Sequence, residues 1–270
     1  MEMYTKKAKE GEMIMYAEVL NIIADQYNKI SSVLILPKSL SVDSNEHLLT
    51  LPFYEGETFN SKWDESNGGA PLGLDLSSEV PLLIKDLSQI DIYFVVDNPK
   101  VMSIPNLVFD HKLYVLDFEE KMQKFISKGL ISKTQANTAR IIMQISPTSS
   151  PIFNNGDFYP RNFIRTPENK IIIIDWEPWN ANSRANIIDY PENVAALCFV
   201  HMWGNSLWQD NYVSELRKLF SFTQQDFQRA ILIKSLELAS FWFEKDELCK
   251  NQIRLFVNAL DEKYMESLWK

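Results

Sequence analysis

Three polar residues in the middle of the chain, Asp157, Asn162 and Asp175, have the types and spacing expected of a phosphoryl-transfer site. Asp157 and Asn162 are five positions apart in the segment NGDFYPRN, and Asp175 directly follows a run of four isoleucines at 171–174. Phosphoryl transfer needs one carboxylate to hold the acceptor hydroxyl, and an amide and a second carboxylate to hold a metal ion. Oxygen ligands of this kind suit Mg²⁺. The pattern therefore indicates a catalytic carboxylate and a nearby metal site.

The segments around these residues predict a loop followed by a buried hairpin. The isoleucine run is too apolar for an exposed strand, so it should be buried and place Asp175 at its end. Residues 162–165 form the other strand, around a turn at 167–169, and Gly156 and Pro160 suit an irregular loop. Helices are predicted at 10–26, 113–128, 134–145, 191–203, 223–243 and 244–269, and a pair of antiparallel strands at 33–36 and 47–53. This order predicts a small mixed α/β portion followed by a mostly helical one.

Composition and charge exclude several classes of protein. The chain has 270 residues, is 46% hydrophobic and carries a net charge of −9. It can therefore bury a substantial core, but it would not attract nucleic acid or an anionic membrane. Its two cysteines and three histidines show no metal-ligand spacing. With no signal peptide and no run of eighteen apolar residues, we predict a cytoplasmic protein that does not bind membranes. The sequence does not indicate the oligomeric state.

The catalytic-loop and strand residues resemble those of the aminoglycoside phosphotransferase and choline kinase family, which shares the protein-kinase fold. That family has a His-Gly-Asp-x-x-x-x-Asn loop and an Ile-Asp-x-Glu metal motif, and both patterns have counterparts here. The resemblance implies that Asp157 is the catalytic base and that Asn162 and Asp175 hold Mg²⁺. It also makes Asp189 the counterpart of a structural aspartate that follows the metal motif.

The same resemblance implies an α+β, protein-kinase-like fold in two lobes. Residues 1–58 would form a reduced N-terminal lobe, with one helix and a few antiparallel strands, that ends in the hinge. Residues 59–270 would form a large, mostly helical C-terminal lobe that carries the catalytic β-hairpin. ATP and Mg²⁺ are the cofactors that the resemblance implies.

Nucleotide-binding residues are also implied in the N-terminal portion. Lys7 resembles the family's strand lysine, with Lys6 as the next candidate, and Glu18 resembles the helix glutamate that pairs with that lysine. Pro52 and Tyr54 resemble the hinge, where backbone groups meet the adenine ring. Because proline has no backbone N–H, Tyr54 would provide the donor.

Two departures from the family pattern leave two functions open. Asn155 stands where the family has a histidine that braces the loop, although an asparagine can also form side-chain hydrogen bonds. The chain begins near the lysine-bearing strand, and its first fifty residues contain only Gly11, so no glycine-rich turn covers the phosphates. The leading hypothesis is an ATP- and Mg²⁺-dependent phosphotransferase that acts on a hydroxyl of a small molecule. The alternative is a catalytically inactive kinase-like binding or regulatory protein.

The acceptor is not identified by the sequence, and a cationic small molecule is one hypothesis. Aromatic rings and carboxylates that could bind a cation follow the metal motif, although tryptophans in helical segments more often pack in a core. These residues are Trp176, Trp179, Trp203 and Trp208, with Glu177, Asp189 and Asp210 among them. Glu177 could assist the metal or make a structural contact. Arg161 could neutralise phosphate charge or pair with an acidic neighbour.

Overall fold

The structure is a computed structural model. It describes residues 2–7, 12–28, 31, 33–38, 41–43, 45–58, 63–64, 70–71, 76–91, 111–175 and 188–270. Strands lie mostly in the N-terminal part and around the catalytic loop, and helices dominate the rest. Within these ranges, no helix is long and apolar enough to cross a membrane. The lobe boundary after residue 58 stays a prediction.

The helices predicted from the sequence form, with one exception near the C-terminus, and two helices form that were not predicted, at Glu79–Leu87 and Ser206–Leu219. The helices are α1 (Glu12–Tyr27), α2 (Glu79–Leu87), α3 (His111–Ser127), α4 (Lys133–Met143), α5 (Pro191–His201), α6 (Ser206–Leu219), α7 (Gln224–Phe241), α8 (Asp246–Ala259) and α9 (Glu262–Leu268). The single helix predicted at 244–269 is wrong. Two helices form instead, because the Asp261 side chain accepts hydrogen bonds from the backbone N–H groups of Lys263 and Tyr264 and starts a new helix.

A three-stranded antiparallel sheet forms much of the N-terminal part. The strands are β1 (Met3–Lys7), β2 (Leu34–Ile35), β3 (Ser41–Asp43), β4 (Leu48–Pro52), β5 (Glu57–Thr58), β6 (Trp63–Asp64), β7 (Ala70–Pro71), β8 (Ile152–Phe153), β9 (Phe163–Arg165), β10 (Ile171–Ile173) and β11 (Ile188–Asp189). The sheet has the order β1–β4–β3, with Lys7 opposite Leu48. Ala17 of α1 packs on Leu49 of β4. Helix α1 is thereby attached to the strand that leads into the hinge.

The catalytic hairpin lies in the middle of a second sheet, in the order β2–β10–β9–β5. Strands β9 and β10 pair antiparallel, as predicted, with Ile172 opposite Ile164. Strand β2 runs parallel to β10, and β5 runs antiparallel to β9. The predicted pairing of 33–36 with 47–53 is therefore wrong. Leu34 joins the isoleucine strand because a continuous apolar run suits the buried interior of a sheet, and β4 pairs with β1 and β3 instead.

Helix α7 is the centre of the C-terminal part and packs against α3, α4, α5, α8 and α9. Its first turn has a capping box between Thr223 and Asp226. Farther along, buried Arg229 donates to Glu192 Oε1 of α5 at 2.9 Å and to the Ile145 carbonyl at 2.7 Å. These contacts hold the segment that enters the catalytic loop against two helices.

Candidate active site

The predicted catalytic loop lies between β8 and β9 and is held by its backbone and by buried rings. Gly156 has a left-handed φ of 76°, which a residue without a side chain adopts easily. Its N–H donates to Asn154 Oδ1 at 2.7 Å. Phe158 is buried, and its ring meets Phe163 edge-on with centroids 5.0 Å apart. Between these anchors Asp157 is only partly buried, so its carboxylate can reach a ligand.

Asn162 orients the Asp157 carboxylate directly. It ends the 3₁₀ turn Pro160–Asn162, and its Nδ2 donates to Asp157 Oδ2 at 3.0 Å and to the Asp157 carbonyl at 2.9 Å. Both bonds use the amide nitrogen, so the carboxamide oxygen remains available as a ligand. Asn162 therefore has two functions open to it, which are to hold the base and to offer an oxygen to a metal.

The Asp157 carboxyl has a raised pKa. Burial is the main cause, and the negative charge of Asp175 adds to it. The hydrogen bond from Asn162 and the positive charge of Arg161 oppose the shift. The four groups therefore interact electrostatically, and a raised pKa makes the ionised carboxylate a better proton acceptor than an exposed aspartate.

Asn155 takes over a bracing role in the loop. Its Nδ2 donates to the carbonyls of Asp157, at 3.1 Å, and Ile174, at 3.2 Å. The two carbonyls belong to the catalytic loop and to the residue just before Asp175. The side chain thus links the two motifs, which agrees with the expectation that an asparagine can form hydrogen bonds at this position.

Asp175 leaves the buried strand in a left-handed conformation, with φ of 59°. Its Oδ1 lies 2.7 Å from Lys6 Nζ. Lys6 is on β1, where side chains alternate between the two faces of the sheet, and the neighbouring Lys7 is exposed. The geometry thus brings Lys6 to the site, and it was the second of the two lysines predicted.

The other predicted nucleotide-binding residues lie along α1 and the hinge. Glu18 is on α1, but its side chain lies outside the part of the chain that the structure describes. Pro52 ends β4, and Tyr54 follows as a half-buried residue whose pKa is raised by burial. Their roles in binding a nucleotide stay predictions.

Gly56 places the segment after Tyr54 directly against the catalytic hairpin. A Cβ atom at this position would lie 2.3 Å from the Arg165 carbonyl oxygen and 2.8 Å from Ile164 Cγ2. Such distances are far below van der Waals contact. Only glycine allows the two backbones to approach this closely.

The residues proposed for a cationic acceptor are not gathered into one site by the described structure. Trp176, Glu177 and Trp179 lie outside the described residues. Trp208 is buried and stacks on Tyr212, with centroids 4.6 Å apart, so it has the core-packing role that was the alternative.

Of the two described carboxylates that were considered for a cationic acceptor, Asp189 is buried and Asp210 is exposed. Asp189 accepts from Asn193 Nδ2 at 2.7 Å and from the Tyr190 N–H at 2.8 Å, and lies 3.3 Å from Lys234 Nζ. These bonds hold the start of α5, as expected of a structural aspartate. Asp210 is exposed on α6.

An aromatic stack beside the catalytic loop was not predicted. The Tyr159 ring stacks on His201 with centroids 3.8 Å apart, and His201 meets Trp242 edge-on at 5.8 Å. Burial lowers the pKa of His201 to about 3, and the charge of Arg161 contributes, so the imidazole is neutral near pH 7. Because the rings are far apart in sequence, no local pattern could have revealed the stack.

The donor set suits Mg²⁺ better than a transition metal. Asn162 and Asp175 offer an amide and a carboxylate oxygen, and Asp157 lies beside them. Among the described residues, no group of three or more His, Cys, Asp or Glu side chains could hold a metal. Magnesium needs few protein ligands, because phosphate and water oxygens complete its shell.

Comparison with known proteins gives structural matches only. No family model and no curated protein matches the sequence. Macrolide 2'-phosphotransferase MphH from Brachybacterium faecium is 9% identical, with a TM-score of 0.58 over 96% of this chain and 84% of that one. Choline kinase LicA from Streptococcus pneumoniae is 12% identical, with a TM-score of 0.56 over 98% and 86%. The gentamicin complex of APH(2'')-IIa is 13% identical, with a TM-score of 0.54 over 97% and 86%.

The chain has the fold of aminoglycoside phosphotransferases and choline kinases. The α+β, kinase-like architecture predicted from the loop and strand motifs is therefore confirmed. At such low identity the likeness extends to the fold, and the chemistry depends on the residues described above.

Proposed function

We propose that this protein is an ATP- and Mg²⁺-dependent phosphotransferase that acts on a hydroxyl group of a small molecule. The observation that carries the proposal is the convergence of the three predicted polar groups. Asn162 bonds to the Asp157 carboxylate at 3.0 Å, and Asp175 is near enough to raise the pKa of Asp157. Two carboxylates and an amide oxygen around one point suit phosphoryl transfer and little else in this fold.

Asp157 would act on the acceptor. In the proposed reaction the acceptor oxygen would form a bond to the γ-phosphorus of ATP as the bond from that phosphorus to the ADP oxygen breaks, and the Asp157 carboxylate would take the hydroxyl proton. The bond from Asn162 Nδ2 fixes one carboxylate oxygen, and the other would accept the proton of the acceptor hydroxyl. Such positioning supplies much of the catalysis in this class of reaction.

Asn162 and Asp175 would hold Mg²⁺, which when bound neutralises charge on the phosphate oxygens. Lys6 already lies 2.7 Å from Asp175 and would supply a second positive charge to the same phosphates. Lys6 would then have the role of the family's strand lysine, for which Lys7 was the first candidate from the sequence.

A kinase-like binding protein without catalysis is the second candidate. The observation that favours it is the Lys6–Asp175 ion pair, because a lysine that satisfies Asp175 competes with a metal ion for the same carboxylate. Under this hypothesis the protein keeps the fold, and Asp175 has become part of a structural contact.

Thermal unfolding with ATP and Mg²⁺, separately and together, distinguishes the two. A ligand that binds only the folded state at one hundred times its Kd adds about 2.7 kcal/mol to the free energy of unfolding, which corresponds to roughly 5 °C or more for a chain of this size. We expect stabilisation that needs both ligands, that is lost in Asp175→Asn and that is kept in Asp246→Asn. Asp246 is an exposed aspartate at the start of α8 and serves as the matched control.

No shift with millimolar Mg-ATP would support the binding protein without catalysis. Equal shifts in the parent and in Asp175→Asn would show that Asp175 is not a metal ligand. Acceptor screening is worthwhile only after a shift that depends on both ligands.

A further inference from the structure

Arg161 is an exposed cation inside the catalytic loop. It lies in the 3₁₀ turn between Asp157 and Asn162, so its backbone position is set by the same turn that holds the site. It forms no ion pair with a described residue. Of the two roles left open by the sequence, pairing with an acidic neighbour therefore has no support in the structure.

The aromatic stack supports the Arg161 guanidinium without neutralising its charge. Arg161 Cζ lies 5.6 Å from the centre of the Tyr159 ring, within the range of a cation–π contact. Tyr159 is in turn stacked on His201. Pro160, between Tyr159 and Arg161, limits the conformational freedom of the backbone that joins them. A guanidinium held in this way loses less conformational freedom when it binds a ligand.

Arg161 differs from Asp175 in having no ion-pair partner among the described residues. Asp175 is paired with Lys6, and one oxygen of Asp157 is bonded to Asn162. In the part of the chain that the structure describes, Arg161 is thus an exposed positive charge beside the base. A cationic acceptor would be repelled there, and an anionic one would gain a charge-assisted hydrogen bond. Because the whole chain has a net charge of −9, an anion needs such a local cation to bind.

We propose that Arg161 recognises the acceptor and that the acceptor is an anionic small molecule, with a carboxylate or a phosphate group as well as the hydroxyl that is phosphorylated. This inference rests on the proposed phosphotransferase function and specifies its substrate class. Arg161 is a specificity-determining residue in this proposal, and Asp157 remains the base.

The test is a screen for ADP formation from ATP and Mg²⁺ with hydroxyl compounds of different charge. The panel contains hydroxy acids, sugar phosphates, neutral polyols and sugars, and cations that include choline and aminoglycosides. Hydroxy acids and sugar phosphates separate the carboxylate from the phosphate as the recognised group. We expect the active acceptors to be anions from one of these two classes.

Variants of Arg161 then test the residue itself. In Arg161→Gln the KM of the anionic acceptor should rise by roughly ten- to one-hundredfold, the loss expected for a hydrogen bond to a charged group. In Arg161→Glu the ratio of anionic to cationic acceptor turnover should fall further. Mg-ATP affinity should stay within about twofold of the parent, as expected when an exposed residue outside the nucleotide contacts is changed. Arg254→Gln changes an exposed arginine of α8 and should match the parent throughout.

Three results would overturn the inference. The first is a parent that stabilises with Mg-ATP but phosphorylates only neutral or cationic compounds, or none of the panel. The second is an unchanged KM for the anion in Arg161→Gln. The third is a loss of Mg-ATP affinity in that variant, which would assign Arg161 to the nucleotide. Failure of the phosphotransferase proposal looks different, because the parent would then show no Mg-ATP stabilisation.

Discussion

Lys6 and Lys7 provide a matched pair of variants on one strand. Lys6 Nζ lies 2.7 Å from Asp175, whereas Lys7 is exposed. Both variants, Lys6→Met and Lys7→Met, remove one positive charge from the same edge of the protein. Only Lys6→Met removes a cation from the proposed nucleotide site. We expect Lys6→Met to weaken Mg-ATP binding and Lys7→Met to leave it unchanged.

The magnitudes follow from the exposure of the ion pair. The side chains of Lys6 and Asp175 are 29% and 40% exposed, so water screens their attraction and the pair contributes at most about 1 kcal/mol to stability. A charge-assisted bond to a nucleotide phosphate contributes about 1.5–3 kcal/mol, equivalent to a roughly ten- to 150-fold change in Kd. Lys6→Met should therefore change binding far more than it changes stability. Lys7→Met should change the free energy of unfolding and the free energy of Mg-ATP binding by no more than about 0.5 kcal/mol each.

Two measurements on each variant test whether Lys6 binds the nucleotide. Urea unfolding gives the change in stability, and calorimetric titration of ATP in excess Mg²⁺ gives the change in Kd. Equal Kd values for the two variants would refute the role of Lys6. Tighter Mg-ATP binding by Lys6→Met would refute it more strongly, because it would mean that Lys6 blocks Asp175 and that the ion pair is a structural substitute for the metal.

Three further predictions concern the hinge, the helical core and the base. Gly56→Ala places a Cβ 2.3 Å from the Arg165 carbonyl and should cost about 1–3 kcal/mol in urea unfolding. Arg229→Met leaves the fully buried Glu192 without its partner and should cost about 3–5 kcal/mol, and recovery with Glu192→Gln in the same chain would confirm the cause. The pKa of Asp157 is raised and the base acts when deprotonated, so kcat/KM should fall on acidification at a higher pH than for an ordinary aspartate. Asp157→Asn should lower kcat by about 10²–10⁴-fold and remove this dependence.

Local patterns were sufficient to predict the loop and the strand that carry the candidate catalytic residues. The five-residue spacing of Asp157 and Asn162, and the position of Asp175 after four isoleucines, express constraints that act within one loop and one hairpin. A turn and a buried strand are specified by neighbouring residues, so the structure forms both where they were expected. The capping box of Thr223 and Asp226 is equally local.

Contacts between segments far apart in sequence could not be predicted from local patterns. Residues 34–35 had two possible partners, and the tertiary structure pairs them with β10, where both faces of a strand are buried. Alternation along β1 predicts that Lys6 and Lys7 point to opposite faces, but only the position of Asp175 decides which lysine enters the site.

The sequence by itself thus determined the hairpin and the polar residues that it carries, because residue types and short spacings specify them, and it predicted from them a base and two metal ligands. The tertiary structure alone decided which charges meet. It joined Lys6 to Asp175 across the two parts of the chain, linked the two motifs through Asn155, and set Arg161 over an aromatic stack that ends on Trp242. Such contacts depend on the packing of segments far apart in sequence, and no local pattern encodes them.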